Sequence, residues 1–220
     1  FSSVKTIVQI TDRTLADAVI SDLKVLSTAD VLAGDCVDVE AVISNIGLVD
    51  LAPGYVTFGR SDENSYQNKI YYHDPIPAGA SQRIIGKVTM PDRIGRIYVE
   101  VGTNQSREIP ELTYSNNTKT IEVDLKPSFV ATLASSKTRY DIGEEVTLTG
   151  HAEGRNVANA KVEVYAIHKG TRQATLVETD EDGNFTFSFT PDERQCGHFD
   201  AGACYPGESS TKVLASFDMT

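Results

Sequence analysis

Apolar positions recur with a period of two along almost the whole chain. Leu23-Lys24-Val25-Leu26, Cys36-Val37-Asp38-Val39-Glu40-Ala41-Val42-Ile43, Arg96-Ile97-Tyr98-Val99-Glu100-Val101 and Lys119-Thr120-Ile121-Glu122-Val123 alternate or run apolar over strand length, rich in β-branched residues. Helical spacing is scarce. Leu15, Val19 and Leu23 fall on one helical stripe behind Asp12 or Thr14 as a cap, yet Asp22-Leu23-Lys24-Val25 reads better as a strand. Residues 4–10 read as the last strand of a preceding module, with 12–18 as the connector.

Turn signals punctuate the apolar runs every 8–12 residues or so, the spacing of an all-β sandwich. Ala33-Gly34-Asp35, Asn45-Ile46-Gly47, Pro53-Gly54 and the Pro/Gly pairs at 75–79 and 91–95 supply left-handed or fixed φ where the chain must reverse. About seven strands fit between Asp22 and Asp124. Lys126-Pro127 then interrupts the pattern, because proline removes a ladder donor and favours an extended linker. Seven further strands are predicted at 129–133, 145–150, 160–167, 173–179, 184–189, 198–204 and 212–217, with Asp182-Gly183-Asn184 as a hairpin between the fourth and fifth. The predicted fold class is all-β: two tandem immunoglobulin-like (Greek-key) β-sandwiches with a short linker. Residues 1–21 form a leader, linker or last strand of a preceding module, 22–125 the first sandwich and 126–220 the second.

Composition supports two folded domains and narrows their partners. The 220 residues are 40% hydrophobic and 23% charged, enough for real cores and too apolar for wholesale disorder. No apolar stretch approaches the roughly 18–20 residues of a membrane span. A chain opening on Phe1 without a signal-peptide layout reads as a piece of something longer or a mature product. The net charge of −11 spreads evenly, 11 basic and 17 acidic side chains in residues 1–125 against 9 and 14 in 126–220, so no basic stripe can neutralise phosphates. Nucleic acid and direct membrane insertion are therefore not expected partners.

Catalytic chemistry finds no anchor in the motifs. His73, His151, His168 and His198 are isolated and read as surface or strand-end histidines, and no phosphate loop, dinucleotide fingerprint or Gly-x-Ser-x-Gly occurs. No catalytic residue and no cofactor is assigned. Asp180-x-Asp182-x-Asn184 resembles the opening of a calcium loop, but Gly183 falls at position 4 and Pro191 stands where the bidentate acid belongs. A turn is the expected reading of Asp180, Asp182 and Asn184, with a weak surface calcium site as the alternative; Asp62-Glu63-Asn64 has less support still.

Sugar binding needs aromatic platforms. Trp is absent, and Tyr66, Tyr71 and Tyr72 form the one dense aromatic group, flanked by Asn64, Gln67, Asn68 and His73. They are the candidate ligand residues, against a reading in which one tyrosine points inward and its neighbours pack along a hairpin. Cys196 and Cys204 sit at the two ends of a predicted strand, roughly 26 Å apart at about 3.3 Å per residue, too far for a disulfide. With Cys36 in the other domain, three free thiols are expected, which in an exported protein points to an anaerobic or reducing habitat. Asn104, Asn116 and Asn184 head three sequons near predicted turns and are candidate glycosylation sites.

Two family resemblances follow from these strings. Asp22-Leu23, Ala33-Gly34-Asp35, Val42-Ile43-Ser44-Asn45-Ile46-Gly47, Ile76-Pro77-Ala78-Gly79-Ala80-Ser81 and the closing run from Glu108 through Glu111 to Asn116-Asn117 and Ile121-Glu122-Val123 make the first domain resemble CARDB, the cell-adhesion-related domain of bacterial and archaeal surface proteins. The chain departs from that family at Gly102 and Tyr114, where acidic side chains are expected, which argues against a cation at that loop. The second domain resembles a bacterial Ig-like module through Tyr140-Asp141-Ile142-Gly143-Glu144, Val146-Thr147-Leu148-Thr149-Gly150, Ala158-Asn159-Ala160-Lys161-Val162-Glu163-Val164, Thr179-Asp180-Glu181-Asp182-Gly183-Asn184-Phe185, Gly197-His198-Phe199 and Tyr205-Pro206-Gly207. The resemblances imply extracellular or cell-surface placement and a spacer or adhesion role without chemistry of its own. The implied partners are neighbouring domains of the same polypeptide and a cell-surface protein or glycan. The competing expectation is a carbohydrate-binding accessory module of a secreted enzyme.

Overall fold

A computed structural model describes residues 14–63, 65–192 and 194–220. They fall into two compact units. The first holds the described residues up to Val31 with Asp35–Met90 and Arg96–Asp124, and the second holds Leu32–Gly34, Pro91–Gly95 and Leu125–Thr220. The described residues contain no α-helix, so none is long and apolar enough to cross a membrane.

The first unit is a seven-stranded sandwich: β1 (Ala18–Val25), β2 (Cys36–Asn45), β3 (Gly54–Arg60), β4 (Asn68–Tyr72), β5 (Ser81–Thr89), β6 (Gly95–Thr103) and β7 (Thr118–Leu125). One sheet has the order β1-β2-β5 and the other β4-β3-β6-β7, so the chain changes sheets between β2 and β3, between β4 and β5 and again between β5 and β6. Alternation explains which residues enter the core: Val39, Ala41 and Ile43 from β2, Val56 and Phe58 from β3, and Val99 and Val101 from β6 are fully buried. Phe58 fits because Gly86 on β5 leaves room for its ring; a β-carbon there would lie 2.3 Å from Phe58 Cδ2.

The opening of this sandwich differs from the sequence expectation. β1 begins at Ala18, and Ala16, Ala18 and Ile20 are buried, so residues 16–21, expected as part of a leader, linker or preceding strand, belong to the first sandwich. The helical stripe at 15, 19 and 23 is not used, because a bulge between Ile20 and Asp22 restores the alternation that buries both Ile20 and Leu23. The strand expected at 4–10 lies outside the described residues.

The second unit contains β8 (Phe129–Ser135), β9 (Arg139–Tyr140), β10 (Val146–Gly154), β11 (Lys161–His168), β12 (Thr171–Glu178), β13 (Asn184–Phe189), β14 (Gly197–Cys204) and β15 (Ala215–Met219). Its sheets have the orders β13-β10-β8 and β12-β11-β14-β15-β9. Leu148, Val162, Val164, Phe185, Phe199 and Phe217 lie in its core, with the Phe199 and Phe217 rings stacked at 5.2 Å.

Three corrections arise here. β12 and β13 belong to different sheets, so Asp182-Gly183-Asn184 turns the chain from one sheet to the other and is not a hairpin. The two-residue hairpin turn is Lys169-Gly170, where φ is 49° and 80°, joining β11 to β12. β9 was not expected; it pairs in parallel with the last strand, Asp218 opposite Arg139 and Met219 opposite Tyr140. β15 also starts later than 212, because the preceding segment crosses the outer face of β14, where Tyr165 donates its hydroxyl to the Lys212 carbonyl at 2.6 Å.

Candidate functional site

The outward face of the β4-β3-β6-β7 sheet gathers most of the aromatic group. With Val56 and Phe58 inward, Tyr55, Thr57 and Gly59 face outward, and the register sets Tyr55 opposite Tyr71 and Thr57 opposite Lys69. The Tyr55 and Tyr71 rings are 5.9 Å apart and tilted by 60°. Lys69 Nζ lies 3.6 Å from the Tyr55 centroid and 5.2 Å from that of Tyr71, within cation–π range of both. Tyr66 packs over Gly59, whose missing side chain leaves space for its ring, and donates its hydroxyl to Glu100 Oε1 at 3.1 Å. Burial, reinforced by the Glu100 carboxylate, pushes the Tyr66 phenol above its ordinary value.

Of the three candidate tyrosines, Tyr66 and Tyr71 share this face. Tyr71 is 57% exposed, whereas Tyr72 is 3% exposed and belongs to the core, where burial raises its phenol pKa. Tyr55 takes its place in the group. Its signal in the sequence was the outward phase of Tyr55-Val56-Thr57-Phe58, but its pairing with Tyr71 depends on a register that local pattern does not carry. Asn64 lies outside the described residues, and Arg60 clamps the neighbouring Asp62 and Glu63 at 2.9 Å and 2.6 Å.

The calcium candidates serve the turn. Asp180 Oδ1 accepts from the backbone N–H groups of Asp182 and Asn184 at 2.9 Å and 2.8 Å, and Asn184 Nδ2 reaches Asp180 Oδ2 at 3.1 Å. The Asn184 donors hold the Asp180 carboxyl below the ordinary carboxylate range. Asp182 contributes its backbone N–H to this turn. Among the described residues no group of three or more His, Cys, Asp or Glu side chains is placed to hold a metal ion.

Two of the sequon asparagines belong to a buried polar centre of the first unit. Glu111, 5% exposed, accepts at Oε1 from Asn104 Nδ2 and from Asn117 Nδ2, the latter at 3.1 Å, and at Oε2 from the Ala18 N–H at 2.7 Å. Asn116 donates to Asp17 Oδ1 at 3.1 Å. Burial outweighs the three donors and raises the Glu111 carboxyl. Asn104 is itself 3% exposed, and its amide nitrogen, the atom a glycan would modify, is turned inward to Glu111 and the Ile109 carbonyl. The folded chain therefore does not offer Asn104, and Asn184 is the exposed member of the three. Tyr114, one of the departures from the CARDB pattern, accepts from the Glu111 N–H and donates to the Ile109 carbonyl, both at 3.3 Å.

The histidines are less uniform than their isolation suggests. His198 stands between two carboxylates, Nδ1 at 2.9 Å from Asp218 and Nε2 at 3.2 Å from Asp200, while the Ser216 hydroxyl also goes to Asp200 at 2.8 Å. The Asp218 contact, with Asp200 beside it, raises the His198 pKa. Asp200 shares a face with His198 two residues along β14, a spacing visible in the sequence, whereas Asp218 arrives from β15. Cys36 and Cys196 are exposed thiols and Cys204 a buried one, and β14 runs unbroken between the last two.

The geometry defines the class: an all-β chain of two immunoglobulin-like sandwiches with an aromatic surface on the first. The sequence matches no protein-family model and no curated protein. Among solved structures, the chain is similar to a CARDB domain from Pyrococcus furiosus described in complex with di-metal ions, at 12% identity and a TM-score of 0.41, covering 51% of this chain and 90% of that one. It is similar to a domain of Methanosarcina acetivorans, from a chain described as a cell surface protein, at 18% identity and 0.42, over 51% and 93%. A tetra-tandem repeat from the extending region of a large adhesion protein aligns at 11% identity and 0.44, over 93% of this chain and 49% of that one.

Proposed function

We propose that the chain is a non-catalytic extracellular module pair acting as a spacer and adhesion stalk within a larger microbial surface or secreted protein. The observation that carries this reading is how the linker is held. Two residues after β7, Pro127 sets the chain extended, and Lys126 just before it forms a β-bridge with Leu32 and accepts the Ala33 N–H at 2.9 Å within the second unit. Because Lys126 already belongs to the second unit, little free chain separates the two units, and a short connection suits a part that must keep its neighbours spaced. The CARDB resemblance supports the surface placement. Small-angle scattering tests it: one narrow set of dimensions is expected, unchanged by salt, and broadened by a glycine-serine insertion after Lys126. A broad ensemble in the unaltered chain would sink the spacer reading.

A specific observation also favours the carbohydrate-binding reading. Tyr55, Tyr66 and Tyr71 with Lys69 present ring faces and polar tips on an open sheet, the arrangement that stacks on pyranose C–H bonds. A glycan array settles it: binding that is lost in Tyr71→Ala and Tyr66→Ala is expected, and a blank array removes the reading.

A further inference from the structure

β12 is the edge strand of the sheet β12-β11-β14-β15-β9. It pairs with β11 without a bulge, from Thr171 opposite His168 to Glu178 opposite Lys161, and contains neither proline nor glycine. Thr179 continues this ladder by donating its N–H to the Ala160 carbonyl at 2.9 Å, so the odd-numbered residues of β12 bond to β11. Arg172, Ala174, Leu176 and Glu178 therefore turn their N–H and C=O groups away from the sheet. Among the described residues, no hydrogen bond reaches those groups.

Edges of the first unit are guarded. On β5, the side chains of Asn68 and Gln67 accept the Lys87 and Thr89 N–H groups at 3.1 Å and 2.6 Å. β1 carries its bulge, and its Ile20 N–H goes to the Asn116 carbonyl at 3.3 Å. Such devices keep an edge from pairing with another chain. β12 is flat instead, most of its residues are exposed, and Leu176 is 54% exposed.

Charge selects the partner. The hairpin end of β12 is basic, with Lys169 and Arg172, whereas its far end and the turn beyond are acidic, with Glu178, Asp180, Glu181 and Asp182. The Arg172 guanidinium lies over the Tyr165 ring, 4.2 Å from its centroid, and serves Glu163, which leaves the exposed Lys169 as the cation at the rim. Antiparallel pairing of β12 with another β12 sets the basic end against the acidic end twice; parallel pairing would set like charges side by side. Centred on Thr175, the antiparallel register places Ala174 opposite Leu176 of the second copy, covering the exposed leucine, and carries Lys169 to Glu181. Even-numbered residues then meet even-numbered ones, so the outward N–H and C=O groups of the two strands face each other.

We propose that β12 is a homotypic docking edge, on which a second copy of this chain adds its own β12 antiparallel and makes one sheet across both copies. The edge belongs to the second unit and depends neither on the stalk reading nor on the tyrosine face of the first.

Sedimentation equilibrium of the full chain tests it, in reducing buffer so that the exposed Cys36 and Cys196 cannot cross-link, over concentrations reaching about 1 mM. A reversible monomer–dimer equilibrium is expected. Ala174→Pro removes only an outward N–H, so it should abolish the dimer while leaving the melting temperature of the monomer nearly unchanged. Lys169→Glu acts twice by symmetry and should weaken association about tenfold, and adding Glu181→Lys should restore it. Should Ala174→Pro fail to fold, the charge exchange decides alone. A chain that stays monomeric throughout, a dimer unchanged in folded Ala174→Pro, or a charge exchange that does not restore pairing would overturn the proposal.

Discussion

Glu111 Oε2 accepts the backbone N–H of Ala18 at 2.7 Å across 93 residues of sequence, tying the loop before β7 to the start of β1. Every contact its carboxylate makes is with a donor, since Oε1 takes two asparagine amides. Glu111→Gln must therefore turn an NH₂ group toward one of those donors. A loss of about 1–3 kcal/mol is expected, the cost of one buried group left unsatisfied. Urea unfolding with an unchanged slope and a lower midpoint checks it, and an unchanged midpoint would show that the network reorganises freely.

Gly86 and Phe58 make a second prediction. Phe58 is fully buried, and its ring atoms occupy the space a β-carbon at 86 would need, 2.3–2.6 Å away. A ring held on all sides by core residues cannot swing clear, so Gly86→Ala should destabilise the first unit by about 1–3 kcal/mol. Pairing it with Phe58→Leu should recover part of the loss, which a double-mutant cycle in thermal unfolding would reveal.

The His198 cluster gives a pH signature. Asp218 and Asp200 raise the histidine pKa above 6.5 in the folded chain, so the contribution is fully present below about 6.5 and is lost as pH rises through the folded value. The side chain is 61% exposed, so solvent screens the effect and the gain is modest. Comparing the melting temperature of the chain with that of His198→Gln from roughly pH 5 to 8, the gap should be largest in acid and close toward neutral and above. A gap that widens with pH would contradict the assignment.

Tyr71 and Tyr72 are neighbours in sequence and opposites in consequence. Tyr72→Ala empties a core position and should cost about 3–5 kcal/mol. Tyr71→Ala removes an exposed ring and one cation–π contact, about 0.5–1 kcal/mol. Denaturation curves separate them, and they decide which variant is usable in any binding assay: Tyr71→Ala tests the surface, whereas Tyr72→Ala tests only folding.

What the sequence made legible was what a single strand determines for itself. Cys36-Val37-Asp38-Val39 declares its faces by alternation, and Asp182-Gly183 declares a turn, because Gly183 takes φ of 86°. What stayed hidden depends on a distant partner. The turn at 183 does not say which sheet its strands join. Arg139-Tyr140 is too short to read as a strand until Asp218 and Met219 arrive beside it. Tyr55 joined the aromatic face by register with β4, and His198 found its carboxylate on β15. Lys169 hid the true hairpin because lysine seldom occupies a left-handed turn position, and the glycine after it was a weaker cue than Asp-Gly elsewhere.

The parallel pairing of β9 with β15 acquires a different meaning once the second unit is imagined under tension. β9 lies near the unit's incoming end and β15 at its outgoing one, and Asp218 and Thr220 donate their N–H groups to the Thr138 and Tyr140 carbonyls, both at 3.0 Å. Strands that run the same way but are pulled from opposite ends are loaded in shear. Their hydrogen bonds must fail together instead of opening one after another, as they would in an unzipping hairpin. Under such a load, two residues that local pattern could not detect would act as a lock on the last strand.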